Sequence, residues 1–158
     1  RLGRLRDQVS LPLPQAGGEE CCYDRPLQDP TLASAQLMGS QFQSWDAEKG
    51  EVTFTYDPPP SFASPRGAVQ GGLIAGFLDE VMGAALLAHS DNTALPLNLD
   101  MNLAFVRMVP LETITAKGRV VKAGRKVAFL EGELFDSEGR LLARATSTAI
   151  PTPPPEGG

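Results

Sequence analysis

The sequence predicts an α+β domain in which one long helix is wrapped by a curved antiparallel sheet. Two observations carry this. Between Val69 and His89 the apolar residues Leu73, Ile74, Phe77, Leu78, Val81, Met82 and Ala85 recur at three- and four-residue steps, the period of one helix of about five turns. From Leu95 onward the period changes to two and turn signals divide the chain, the pattern of long strands in a meander.

Taken in order, residues 1–26 mix Pro, Gly, Gln and charge without any period and are expected to be a flexible extension. The domain is expected over residues 27–150. Leu27 to Met38 reads as a short helix ended by Gly39, and Val52, Phe54 and Tyr56 alternate with Thr53 and Thr55 as a strand before the breaker Pro58-Pro59-Pro60. A loop to Gly67 precedes the long helix. After it, Leu95, Leu97, Leu99, Met101, Leu103 and Phe105 alternate with Pro96, Asn98, Asp100, Asn102 and Ala104 over an unusually long strand. Gly124 separates a strand over Leu111–Lys122 from one over Val127–Phe135, and Asp136-Ser137-Glu138-Gly139 turns the chain into Leu141–Ile150. The tail from Pro151 to Gly158, rich in Pro and Gly, is expected to be extended or disordered.

The whole-chain properties narrow the function classes. With 158 residues and 42% hydrophobic content, one domain with a real core is expected. Gly76, Asp79, Glu80 and Gly83 interrupt the longest apolar region, so no membrane span is expected, and with no secretory pattern at the start a soluble, cytoplasmic protein is. A net charge of -5 argues against a nucleic-acid partner, because binding to a phosphate backbone is driven by excess positive charge. Cys21 and Cys22 are adjacent, too close for the usual disulfide, and are expected to be free thiols. His89 is the only histidine, which leaves little room for a zinc site or a Ser-His-Asp arrangement; no metal and no cofactor are expected.

The long helix has an unusual second face. At about 100° per residue, Gly72, Gly76 and Gly83 fall within about 40° of one another, flanked by Asp79 on one side and Glu80 on the other. A mid-helix glycine costs roughly 0.5–1 kcal/mol against alanine, so three on one stripe imply that something approaches the backbone closely: a neighbouring helix or a ligand. The helix opens on Gly71-Gly72, whose N–H groups at a positive helix end are a ready site for an anion or a developing oxyanion.

These residues carry a resemblance. Gly67-Ala68-Val69-Gln70-Gly71-Gly72, followed by Leu78-Asp79-Glu80 and Gly83, resembles the motif of the PaaI-type (phenylacetate-pathway) hotdog-fold thioesterases, which usually have a histidine before the paired glycines. Asn98 to Arg107 is similar to that family's following strand and Val121 to Lys126 to its next turn, so the resemblance covers about residues 27–150. It implies a hotdog fold and hydrolysis of an acyl-CoA. It also implies Asp79 as the catalytic carboxylate, nucleophile or general base, and the Gly71 N–H as the group that polarises the thioester carbonyl. Gln70 stands where the family histidine does and Ser64 where an amide side chain is common, changes expected to alter rate and preference more than reaction type. Gly72 and Asn98 are further candidates for contact with substrate.

Gly71 and Asp79 are eight positions apart, about 12 Å of helical rise, so they cannot both touch one carbonyl. If both act, they come from different chains, which predicts a two-fold homodimer with shared sites and a dimer of dimers as the next assembly. Between Phe105 and Lys126 the basic residues Arg107, Lys117, Arg119, Lys122, Arg125 and Lys126 face one acid, Glu112, and Arg125 and Lys126 at the turn are the preferred contacts for the CoA phosphates. The acyl group is expected near Phe62 and the long strand. The competing readings are a non-catalytic acyl-CoA-binding module on the same fold, which needs no acid at 79, and a hydratase, which needs a histidine where Gln70 stands.

Overall fold

The computed structural model describes residues 33–153. Helix α1 (Ala33–Met38) leads into β1 (Ser40–Asp46) and β2 (Glu51–Tyr56), and a single 3-10 turn (Pro60–Phe62) precedes α2 (Gly71–His89). Strands β3 (Leu95–Phe105), β4 (Ile114–Ala123), β5 (Ala128–Phe135) and β6 (Leu141–Thr152) follow. All six strands form one antiparallel sheet in the order β1-β2-β4-β5-β6-β3, so β1 and β3 are its edges. The expected helix over Leu27–Met38 is seen from Ala33, its earlier residues lying outside the described ones, as do Cys21 and Cys22.

The sheet curls around α2, and the reason lies in its inner face. Gly118 and Gly132 pair with each other at the centre of β4 and β5, in a cross-strand row that runs Val52, Gly118, Gly132, Ala145, Leu103. A Cβ on Gly118 would lie 2.2 Å from the Val81 carbonyl oxygen, and one on Gly132 would lie 3.1 Å from both Leu78 and Met82. Absent side chains thus let the helix backbone settle onto the sheet, and Phe77, Leu78, Val81, Met82 and Ala85 are wholly buried there with Tyr56, Ile114, Leu130 and Leu134. By length and apolarity alone α2 is long enough to cross a membrane, but these side chains are spent on the sheet.

Three features depart from the sequence reading. β1 was not expected as a strand: its two apolar residues, Phe42 and Trp45, do not alternate, because the pairing with β2 shifts register between Phe42 and Ser44. β3 has the expected bounds but not the expected single apolar face. A bulge at Leu99 switches the alternation, so the residues that share the inner face are Pro96, Asn98, Met101, Leu103 and Phe105, paired with inward residues of β6. Leu97 and Leu99 are left 55% and 59% exposed along the edge strand. β6 runs to Thr152, two residues past the expected domain boundary, with Pro151 opposite Pro96.

Candidate active site

Because β1 and β3 are edges, the sheet leaves one side of α2 open between them. The glycine stripe lies there. Gly83 meets Pro96 of β3 and Gly76 meets Met38 of α1, at 3.4 and 3.7 Å from where a Cβ would stand, so the chain's own flanking elements use part of the room that the glycines leave. Asp79 and Glu80 stand on opposite lips of this opening. Asp79 is exposed and reaches β3; Glu80 turns toward β1.

The Asn98 side chain donates from Nδ2 to Asp79 Oδ1 at 2.5 Å. The amide is in turn held by Ser147, a buried hydroxyl 3.1 Å from Asn98 Oδ1 and 2.8 Å from the Asp100 carbonyl oxygen. This chain depends on the bulge, which puts Asn98 on the inner face while the two residues after Leu99 return Met101 to the same side. Sequence reasoning passed over Ser147. Its signal was there: it is the one hydroxyl among the inward positions Ala143, Ala145 and Ala149 of β6.

Glu80 is different in kind. Its Oε1 accepts a hydrogen bond from Ser40 at 3.1 Å, while its buried Oε2 has no partner among the described residues. Burial, the largest influence, pushes this carboxyl above its usual range, and the Asp79 charge adds to it. The buried Tyr56 phenol beside it donates to the Phe77 carbonyl at 3.2 Å and is pushed well up, first by burial and then by the Glu80 charge.

At the start of α2, Gln70 is the N-cap: its Oε1 accepts from Gly72 N at 2.7 Å and from Leu73 N at 3.2 Å. This corrects the expectation that both glycines offer bare N–H groups. The Gly72 N–H is taken, and the Gly71 N–H is left with no acceptor among the described residues. The Phe105 ring lies over this position, its tip 3.2 Å from where a Gly71 Cβ would stand. Ser64 lies in the preceding loop, which is closed by Gly67 N to Ser64 O at 2.9 Å and Ser64 N to Ala68 O at 2.7 Å, and it borders the same cleft as Gly71 and Phe105. Phe62 is not at the mouth: it is buried against Phe77, with ring centroids 6.2 Å apart.

The structure therefore gathers the predicted residues in two groups, Asp79 with Asn98, and Gly71, Gly72 and Gln70 with Ser64. Arg125 and Lys126 form a third place, on the exposed β4–β5 turn. That turn is level with the first group, because Ala123, Ala128, Ala149 and Asn98 share one cross-strand row. Three strand spacings separate its ends, about 14 Å.

The comparisons with known proteins bear on the family and the fold. Residues 66–143 match the model of the thioesterase superfamily. A putative thioesterase from Ralstonia eutropha JMP134, described as related to phenylacetic acid degradation, is 31% identical, with a TM-score of 0.74 over 81% of this chain and 98% of that one. The chain belongs to the thioesterase superfamily. It falls in the PaaI-type group of hotdog enzymes and is a thioester hydrolase. The E. coli PaaI protein of the phenylacetic acid degradation operon shares the fold at 16% identity, with a TM-score of 0.69 over 77% of this chain and 86% of that one. So does a Streptococcus mutans UA159 protein bound to acetyl-CoA, at 20% identity and TM-score 0.66, over 74% and 91%. No curated protein sequence matches the chain.

Proposed function

We propose that this thioesterase hydrolyses acyl-CoA thioesters at a site shared between two copies of the chain. Asp79 serves as nucleophile or general base and the Gly71 N–H polarises the carbonyl. The observation that carries this is the hydrogen-bonding pattern at the helix start: Gln70 takes the Gly72 N–H and leaves that of Gly71 with no acceptor among the described residues. A donor held by helical geometry and aimed at no internal acceptor is the requirement for stabilising an oxyanion without reorganisation. Asp79, exposed and held by Asn98, is the matching acid.

Since about 12 Å of helix separates the two groups, Gly71 of one chain works with Asp79 of the partner subunit. The edge of β3, unpaired among the described residues and with Leu97 and Leu99 exposed, is the surface such a contact covers. The turn bearing Arg125 and Lys126 takes the CoA phosphates; it is level with Asn98, at a span suited to a pantetheine arm. Acetyl-CoA in the Streptococcus mutans relative supports the substrate class.

Subunit complementation tests the reading. Asp79→Ala and Gly71→Pro chains are each expected to be inactive. Unfolded together and refolded as a mixture, they are expected to regain about a quarter of wild-type activity, since half of randomly paired dimers are mixed and each mixed dimer has one intact site of two. No recovery from a mixture shown to contain mixed dimers overturns the shared site. Turnover by the Asp79→Ala chain alone at more than roughly a few per cent of the wild-type rate removes Asp79 from the chemistry.

A further inference from the structure

Beside the Gly71 N–H the chain forms a cleft of about 400 Å³, between the loop that precedes α2 and the segment that leaves β3. Its wall is mostly apolar, with Val69, Ile74, Phe105, Val106, Met108 and Val109 in it. Three of these are unusually open for apolar side chains: Phe105 is 58% exposed, Val106 47% and Met108 72%. Contiguous apolar surface of this kind around a concavity marks a binding site.

We propose that this cleft is the acyl subsite, that its substrates carry apolar acyl groups, and that Phe105 sets the length they can have. The inference rests on the thioesterase reading above. With the carbonyl oxygen on the Gly71 N–H, the two arms of the thioester leave in different directions. The CoA arm runs toward the partner subunit's Asp79 and the basic turn level with it. The acyl arm is left with the cleft beside Gly71, in the chain that supplies the N–H.

The two walls are fixed to one another. Val69 N donates to the Val109 carbonyl at 2.9 Å, bridging them, and the amides of Val106 and Arg107 both lie 2.9 Å from the Leu142 carbonyl, which pins the segment to β6. The Arg107 guanidinium is drawn onto the Leu141 carbonyl at 2.6 Å. Within this frame Phe105 is the wall nearest the reacting carbon, since its ring tip touches the Gly71 position. An acyl chain passing Gly71 therefore meets the ring first.

The test is kcat/KM over a series of straight-chain acyl-CoAs of increasing length, for wild type, Phe105→Ala and Met108→Trp. Phe105 is more than half exposed, so its truncation leaves the core intact. Because one methylene in an apolar pocket changes kcat/KM by about tenfold or more, Phe105→Ala is expected to move the optimum to longer chains, with at least that gain beyond the wild-type optimum. Met108→Trp, narrowing the cleft, is expected to move it to shorter ones. Active variants that keep the wild-type optimum, with all substrates changed in parallel, overturn the acyl assignment and leave the thioesterase reading standing. A wild type that hydrolyses no acyl-CoA overturns both.

Discussion

Asn98 reaches from the edge strand β3 to donate its side-chain amide to Asp79 at 2.5 Å, and a bulge one residue further on is what turns it toward the helix. An acid on an exposed helix face has several rotamers; this contact selects one. Asp79→Ala is expected to lower kcat by about 10²–10⁴-fold, the usual range for losing a general base, with the fold unchanged by circular dichroism. Asn98→Ala removes the donor that selects this rotamer and is expected to lower kcat while KM stays near its wild-type value, a split that a purely structural role for Asn98 does not produce.

The helix start permits an unusually clean substitution. Proline suits the first position of a helix and lacks only the N–H, and Gln70 before it, at φ -67° and ψ 139°, already has the extended backbone that a following proline requires. Gly71→Pro is therefore expected to leave Tm nearly unchanged while lowering kcat by about 10²–10³-fold, the typical loss for one oxyanion donor. Gly71→Ala displaces the Phe105 ring to a similar degree but keeps the donor. Equal losses in the two variants would assign the effect to Phe105.

How much of this was legible in the sequence depended on whether the signal was local. The long helix was, since its period is local to one element, and with it the places of Asp79 and Gly71 along its length. β3 was found with its true ends but misread in facing, because the Leu99 bulge leaves no mark in a run that alternates on both sides of it. β1 escaped because an edge strand buries little and needs few apolar residues. The role of Phe105 is tertiary: only the fold lays its ring over Gly71.

Gly118 illustrates the same limit and gives a stability prediction. In sequence it is a glycine inside a strand; in the fold a Cβ there would collide with the Val81 carbonyl and the Met82 amide of α2, both backbone and unable to yield. Gly118→Ala is expected to destabilise by about 3 kcal/mol or more, at the upper end for overpacked cores, measured by urea unfolding. Gly124→Ala, where the nearest atom lies at an ordinary 3.5 Å, serves as the near-neutral control.

Glu80 provides a pH-dependent test on the opposite lip of the helix. Burial raises its carboxyl above the ordinary value of 4.5, so the folded state holds its proton more tightly than the unfolded state does. Its contribution to stability is then fully present below the unfolded value and is lost as pH rises through the folded one. Glu80→Gln keeps an acceptor for Ser40 and removes the charge from the buried oxygen that has no partner among the described residues. At neutral pH the variant is expected to be more stable than wild type by on the order of 1 kcal/mol, a rise in Tm of roughly 3–6 °C. The advantage should shrink as pH is lowered and disappear below the unfolded value, since groups common to both proteins cancel in the difference. A constant Tm difference from pH 4 to 8 would mean that Glu80 does not titrate differently in the two states, and that its free oxygen is reached by water.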